Sequence, residues 1–216
     1  MGSERMKGDY VSLRRMKDGD FELLADWIGG RVGTYGAGSP HFIRPEDLSR
    51  GADTFLMVVR NDGERIGVVS WRQLQYVGSY ELGVAIGDES AWTDGYGVEA
   101  VLLLLQYIFH ARNAHRVEMK AGLFNRQPMR MVTQGVMVLE GILRDYYFLD
   151  GEYHDAVVFS LLRDDYYELV RTLQLQPDTI PQAEKREAFK VFQEYLASRP
   201  EDHLSTLLNR ATGPER

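Results

Sequence analysis

The chain has 216 residues, 44% hydrophobic and 26% charged, with a net charge of −7 and no cysteine. A chain of this size folds around its own core, and the missing cysteines exclude disulfides, thiolate metal sites and a cysteine nucleophile. The acidic balance speaks against nucleic acid and the lack of a long apolar run against a membrane span; with no signal-like apolar stretch at the start, the expected compartment is the cytoplasm.

Residues 1–9 are polar and read as a flexible lead-in. Residues 10–14 alternate apolar and polar, as a half-buried strand does. Asp18-Gly19-Asp20 then precedes Phe21, Leu23, Leu24, Trp27 and Ile28, which share one helical face, and an Asp there suits the N-cap. Residues 29–45 hold five glycines and two prolines and predict a long irregular loop of the kind that carries binding function. Pro45 suits the first turn of a short helix. Residues 54–60 and 65–73 form a hairpin across Asn61-Asp62-Gly63, and 80–87 is a further strand.

Residues 95–112 make the longest helical pattern, followed by a strand at 116–123 and a shorter helix at 128–134. Residues 137–148 and 152–162 form a second hairpin across Leu149-Asp150-Gly151. The order describes an α/β (α+β layered) domain over 10–165. A C-terminal helical extension over 166–216 has helical spacing at 164–173, 182–197 and 201–209. Ala188, Phe189, Phe192, Tyr195 and Leu196 give it one apolar face, which either packs back on the domain or makes a homodimer contact.

The chemistry concentrates where the strand at 80–87 gives way to a glycine-containing loop and the long helix. Gly95 and Gly97 let the backbone come close to a ligand, and the free N–H groups of the helix start, with its dipole, make an anion site suited to a pyrophosphate. The flanking residues carry a pattern: Trp92, Gly95, Tyr96, Gly97, Glu99 and Ala100 in the loop and helix start, then Tyr107, Phe109, Asn113, His115, Val117, Glu118 and Asn125 downstream. Glu140, Gly141, Leu143 and Arg144, with Asp150, Gly151, Tyr153, His154 and Asp155, continue it into the last hairpin. Over 10–165 this resembles the GNAT superfamily of N-acetyltransferases, in its RimJ/RimL-like branch, which acts on ribosomal-protein alanines.

The resemblance implies a central mixed, mostly antiparallel sheet of about seven strands, splayed between the fourth and fifth, with helices on both faces. It implies acetyl-CoA as co-substrate and no metal. A bulged strand would pair with pantetheine near Val84 and Ile86. The loop Trp92, Thr93, Gly95, Tyr96, Gly97 and Val98 would hold the pyrophosphate, and Asn125 would contact the pantetheine arm. The acceptor, a primary amine, would enter beneath the loop at 29–45, where Tyr35 and His41 stand. A small molecule, whether metabolite or amine antibiotic, is the preferred acceptor, with a protein N-terminus, another acyl donor or a non-catalytic binding role as alternatives.

Transfer needs a base for the amine, an N–H for the oxyanion and an acid for the thiolate. Glu81, on the strand before the loop, is the expected base and an acceptor contact. His154 and Asp155 are neighbours on a strand, face opposite ways and make no dyad. The chain departs from the family pattern at Trp92, where Arg or Gln is usual, and at Asp94, Val98, Pro128, Val132 and Val136-Met137. The standard proton donor is thereby lost, leaving Tyr96, Tyr146 or Tyr147 as substitutes.

Overall fold

The computed structural model describes residues 5–37, 43–87, 92, 95–175 and 180–198. Eight strands form one sheet in the order β1-β2-β3-β4-β5-β6-β8-β7. They are β1 (Arg5–Lys7), β2 (Val11–Arg15), β3 (Thr54–Arg60), β4 (Arg65–Gln73), β5 (Ser79–Ile86), β6 (Arg116–Gly122), β7 (Val138–Leu149) and β8 (Glu152–Leu162). All neighbours run antiparallel except β5 and β6. The helices are α1 (Asp20–Gly29), α2 (Arg31–Ala37), α3 (Pro45–Arg50), α4 (Tyr96–Ala111), α5 (Arg126–Thr133), α6 (Arg163–Thr172) and α7 (Gln182–Ala197).

Period-two alternation sends each strand's side chains to two faces. On β3, Leu56 and Val58 join one core cluster, while Met57 and Val59 join the other. The first cluster packs under α4, whose Ala100, Val101, Leu104, Leu105, Ile108 and Phe109 are buried at helical spacing. Burying one such Leu or Phe contributes about 1.5–3 kcal/mol. Phe109 stacks on Tyr166 with ring centroids 4.4 Å apart, so α6 belongs to this core. The second cluster seats Leu24, Trp27 and Ile28 of α1, with Leu48 of α3, against Met57, Val59 and Val68. The first compact unit accordingly runs through Leu175. In the second unit, residues 176–216, α7 carries exposed Phe189, Phe192 and Tyr195. The helical pattern at 201–209 lies outside the described residues.

Three expectations change. Residues 5–7, read as lead-in, are an edge strand paired with β2 in the register Met6↔Leu13. The turn between them is held by Glu99 of α4, whose carboxylate accepts the N–H groups of Asp9 (2.6 Å), Tyr10 (2.9 Å) and Val11 (2.8 Å). No aspartate caps α1: Gly19 does, in the left-handed region at φ 79°. Asp20 instead is buried against Arg14 (2.5 Å), Arg65 (3.1 Å) and the Lys17 N–H (2.7 Å). Burial pushes its carboxyl pKa up, and these donors more than offset the rise, so the net shift is downward. Residues 31–37 are helix rather than loop. Gly33 explains the misreading: a Cβ there would lie 1.9 Å from the Ile28 carbonyl oxygen, so the glycine is present for close packing of α2 on α1.

Candidate active site

β5 and β6 pair at Ser79↔Arg116, Tyr80↔Val117 and Glu81↔Glu118, and at no later residue. β5 nevertheless continues to Ile86 and β6 to Gly122. Beyond Glu81 the facing edges of the two strands therefore carry backbone groups without ladder partners, which must be met by something else. This opening lies between the strands where the sequence expects it. The ladder from Gln73↔Tyr80 to Gly67↔Ile86 keeps one register, so the bulge of the family pattern is absent on the β4 side of β5.

At the far end of the opening stands the start of α4. Gly95 caps it in the left-handed region, at φ 84°, with no atom of the described residues within 4 Å of where a Cβ would sit. A non-glycine residue is strained there, and Gly leaves the approach to the first-turn amides of Tyr96, Gly97 and Val98 open. A Cβ on Gly97 would meet Ile86 Cγ1 at 3.4 Å, so the helix start abuts the end of β5. Val98 is exposed, Val84 half-buried and Ile86 buried. The Trp92 indole Nε1 donates to the Ile86 carbonyl at 2.8 Å. Thr93, Asp94 and His41 lie outside the described residues.

Aromatic rings line the opening from there toward its vertex. Trp92 meets Tyr35 edge-on at 5.5 Å, Tyr35 meets Phe124 at 6.4 Å, and Phe124 meets Tyr147 at 5.8 Å. Asn125 ties this wall to α2 and α5: Nδ2 donates to the Tyr35 carbonyl at 2.8 Å, and Oδ1 accepts from Gln127 N at 3.2 Å. His154 packs its ring on Phe124, and Asp155 accepts the Asp145 N–H at 2.8 Å. Both serve the β7–β8 hairpin.

Glu81 sits at the vertex, the last residue of β5 paired with β6, on the face opposite buried Tyr80. Its Oε2 accepts from Arg72 Nη2 at 2.6 Å and Lys120 Nζ at 2.9 Å. Lys120 also reaches Glu118 at 3.3 Å, and Arg116 bridges Glu118 (3.2 Å) and Glu140 (2.5 Å). Burial pushes the Glu81 carboxyl up, but Arg72 and Lys120 hold it below the usual carboxylate range. Arg116, with the Ser160 hydroxyl, lowers Glu140 to about 2. Burial, followed by the charges of Tyr146 and Glu81, raises the Tyr147 phenol above its usual value.

The structure thus brings together Ile86, Trp92, Tyr35 and Asn125 along one opening, with Glu81 at its foot. It does not bring Tyr96 to Glu81. The Tyr96 phenol is within electrostatic range of Arg60, at the Ile86 end of the sheet, whereas Glu81 is roughly 16 Å back along β5. The sequence offers Tyr147 only as one of three substitute acids, and it does not point to Arg72, Lys120 or Phe124. Alternation places Arg72, Glu81, Glu118 and Lys120 toward one face, but only the registers Arg72↔Glu81 and Glu81↔Glu118 make them neighbours.

A model of the family described as "Acetyltransferase (GNAT) domain" matches residues 11–134. An uncharacterized N-acetyltransferase of Bacillus licheniformis is 28% identical over 176 residues, 76% of this chain and 98% of that protein. Among solved structures, a spermidine N-acetyltransferase from Vibrio cholerae in complex with CoA and spermine is similar with a TM-score of 0.66 at 19% identity, covering 74% of this chain and 99% of that one. A GNAT-family acetyltransferase from Bacillus anthracis is similar with a TM-score of 0.63 at 17% identity, covering 74% and 99%. At these identities the two structures speak for the fold.

Proposed function

This chain belongs to the acetyltransferase (GNAT) domain family and is an acyltransferase; from that premise we propose that it transfers an acetyl group from acetyl-CoA to a primary amine of a small molecule in the cytoplasm. The observation that carries this reading is the opening between β5 and β6, whose strand edges leave their ladder beyond Glu81 and run to the first-turn amides of α4. The Vibrio cholerae relative, whose structure was solved with CoA and spermine, supports a small amine as the acceptor class.

The residues present fit the co-substrate. An indole N–H already donates to the Ile86 carbonyl, so this oxygen is directed at the opening and suits a pantetheine amide N–H. The amides of Tyr96, Gly97 and Val98, opened by Gly95, suit the pyrophosphate. Asn125 keeps a structural task, since both ends of its amide are engaged by α2 and α5. The bound thioester supplies an activated acetyl group. Tyr35, Trp92 and Phe124, in edge-to-face contact, would offer the bound thioester an apolar wall.

At the vertex, Glu81 Oε1 takes no hydrogen bond among the described residues and is the acceptor offered to the amine N–H. Two cations keep Glu81 ionised, so it orients the amine, whose proton leaves to solvent on the exposed Arg72 side of the vertex as the N–C bond forms and the C–S bond breaks. The Tyr147 phenol, kept protonated by burial, is the proton donor that the vertex offers to a leaving thiolate. The test is mass spectrometry of a mixed set of small primary amines and peptides incubated with the protein and acetyl-CoA. Acetylation of one or more small amines is expected; modification of peptide N-termini alone overturns the acceptor class.

A further inference from the structure

The vertex network is electrically balanced. Arg72, Lys120 and Arg116 face Glu81, Glu118 and Glu140, and each carboxylate already holds at least one of these cations. A polyamine needs unpaired carboxylates for its further ammonium groups, and this network holds none in reserve. Among the described residues, the further carboxylate within electrostatic range of Arg72 is Asp53, which is exposed.

Arg72 has the opposite character. It is directly across β4–β5 from Glu81, and its side chain is 45% exposed. Only Nη2 is engaged, by Glu81 Oε2; Nη1 and Nε make no hydrogen bond among the described residues. Nη2 carries two protons and Glu81 takes one, so a guanidinium anchored this way keeps one fork, the second Nη2–H with the neighbouring open donor, that can take a carboxylate in bidentate fashion. Beside it, Glu81 Oε1 is open to an amine N–H. Tyr147 lies within electrostatic range of Glu81 and Tyr146 of Arg72, and the two rings touch at 4.9 Å. They give the same spot an apolar wall.

We propose that the acceptor carries a carboxylate close to its reactive amine, as an amino acid with an apolar or aromatic side chain does, and that Arg72 reads the carboxylate while Glu81 Oε1 reads the amine. The pairing is of opposite charges on both sides, so a zwitterion satisfies it and a polycation does not. This inference rests on the acetyl-transfer reading above.

The test compares acceptors that differ by the carboxylate alone: phenylalanine against phenethylamine and lysine against cadaverine, with spermidine as the polycation. In the wild-type protein kcat/KM is expected to favour each carboxylate-bearing partner by about tenfold or more, the usual worth of a charge-assisted hydrogen bond. Arg72→Gln is expected to bring each ratio to about one by raising the KM of the amino acid. Arg72→Lys is expected to restore part of it, because the charge returns without the fork. Faster turnover of spermidine, cadaverine or phenethylamine than of the amino acids overturns the inference and leaves acetyl transfer standing. So does a ratio that survives Arg72→Gln. Turnover of none of the five overturns the small-amine reading and this inference together.

Discussion

Glu81 shows how one side chain's partners decide its role. Its place on the strand before the loop suggests a base, yet Arg72 and Lys120 hold its pKa below the ordinary value of 4.5. The sign follows: a depressed carboxyl pKa means that the ionised form, and the stability it contributes, is present above the ordinary range and is lost only as pH falls through the lowered value. Across neutral and mildly alkaline pH the charge of Glu81 is therefore constant. Glu81→Gln is expected to lower kcat/KM by about tenfold to a hundredfold through lost orientation of the amine, while the shape of the pH–rate profile stays that of the wild type. A profile that flattens in the variant assigns the titrating base to Glu81 after all. Glu99 makes the same point for structure: it matches the residue pattern of the loop, and its carboxylate is spent on the amides of Asp9, Tyr10 and Val11.

At the scale of elements, the opening depends on three pieces meeting: the end of β5, the start of α4 and the aromatic wall from α2 and the segment after β6. Trp92 joins them by donating to Ile86 and packing on Tyr35. The Ile86 carbonyl has two lone pairs, and where a pantetheine amide takes the one the indole now holds, Trp92 opposes binding by about one hydrogen bond, or 0.5–1.5 kcal/mol. Trp92→Phe keeps the ring and removes the donor, so calorimetry is expected to show acetyl-CoA binding tightened by about twofold to tenfold. Weaker binding by this variant identifies the indole as a direct contact of the co-substrate. The strands from β2 onward, α4 and the two hairpin turns are legible in sequence because alternation, helical spacing and Asn-Asp-Gly or Asp-Gly turns are local signals, whereas the three residues of β1 are too few to carry one. α2 is not, because Gly33 serves packing against Ile28 and reads locally as a helix breaker. The vertex network is also illegible, since Arg72, Glu81 and Lys120 lie on three strands and meet only through inter-strand register.

For the molecule as a whole, the sheet separates two tasks onto its two faces. One core cluster seats α4 and so fixes the amides at its start; the other seats α1 and α3. The opening between β5 and β6 connects these faces because the ladder stops at Glu81 while both strands run on. The central claim is that acetyl-CoA enters this opening and uses its unpaired backbone. Amide hydrogen exchange with and without acetyl-CoA tests it most directly. Slowed exchange at the Leu82–Ile86 stretch of β5 and at Tyr96–Val98 is the predicted result, with α1 and the β7–β8 turn unchanged. Saturating acetyl-CoA that leaves the amides of β5 and the first turn of α4 exchanging at their free rates contradicts the account.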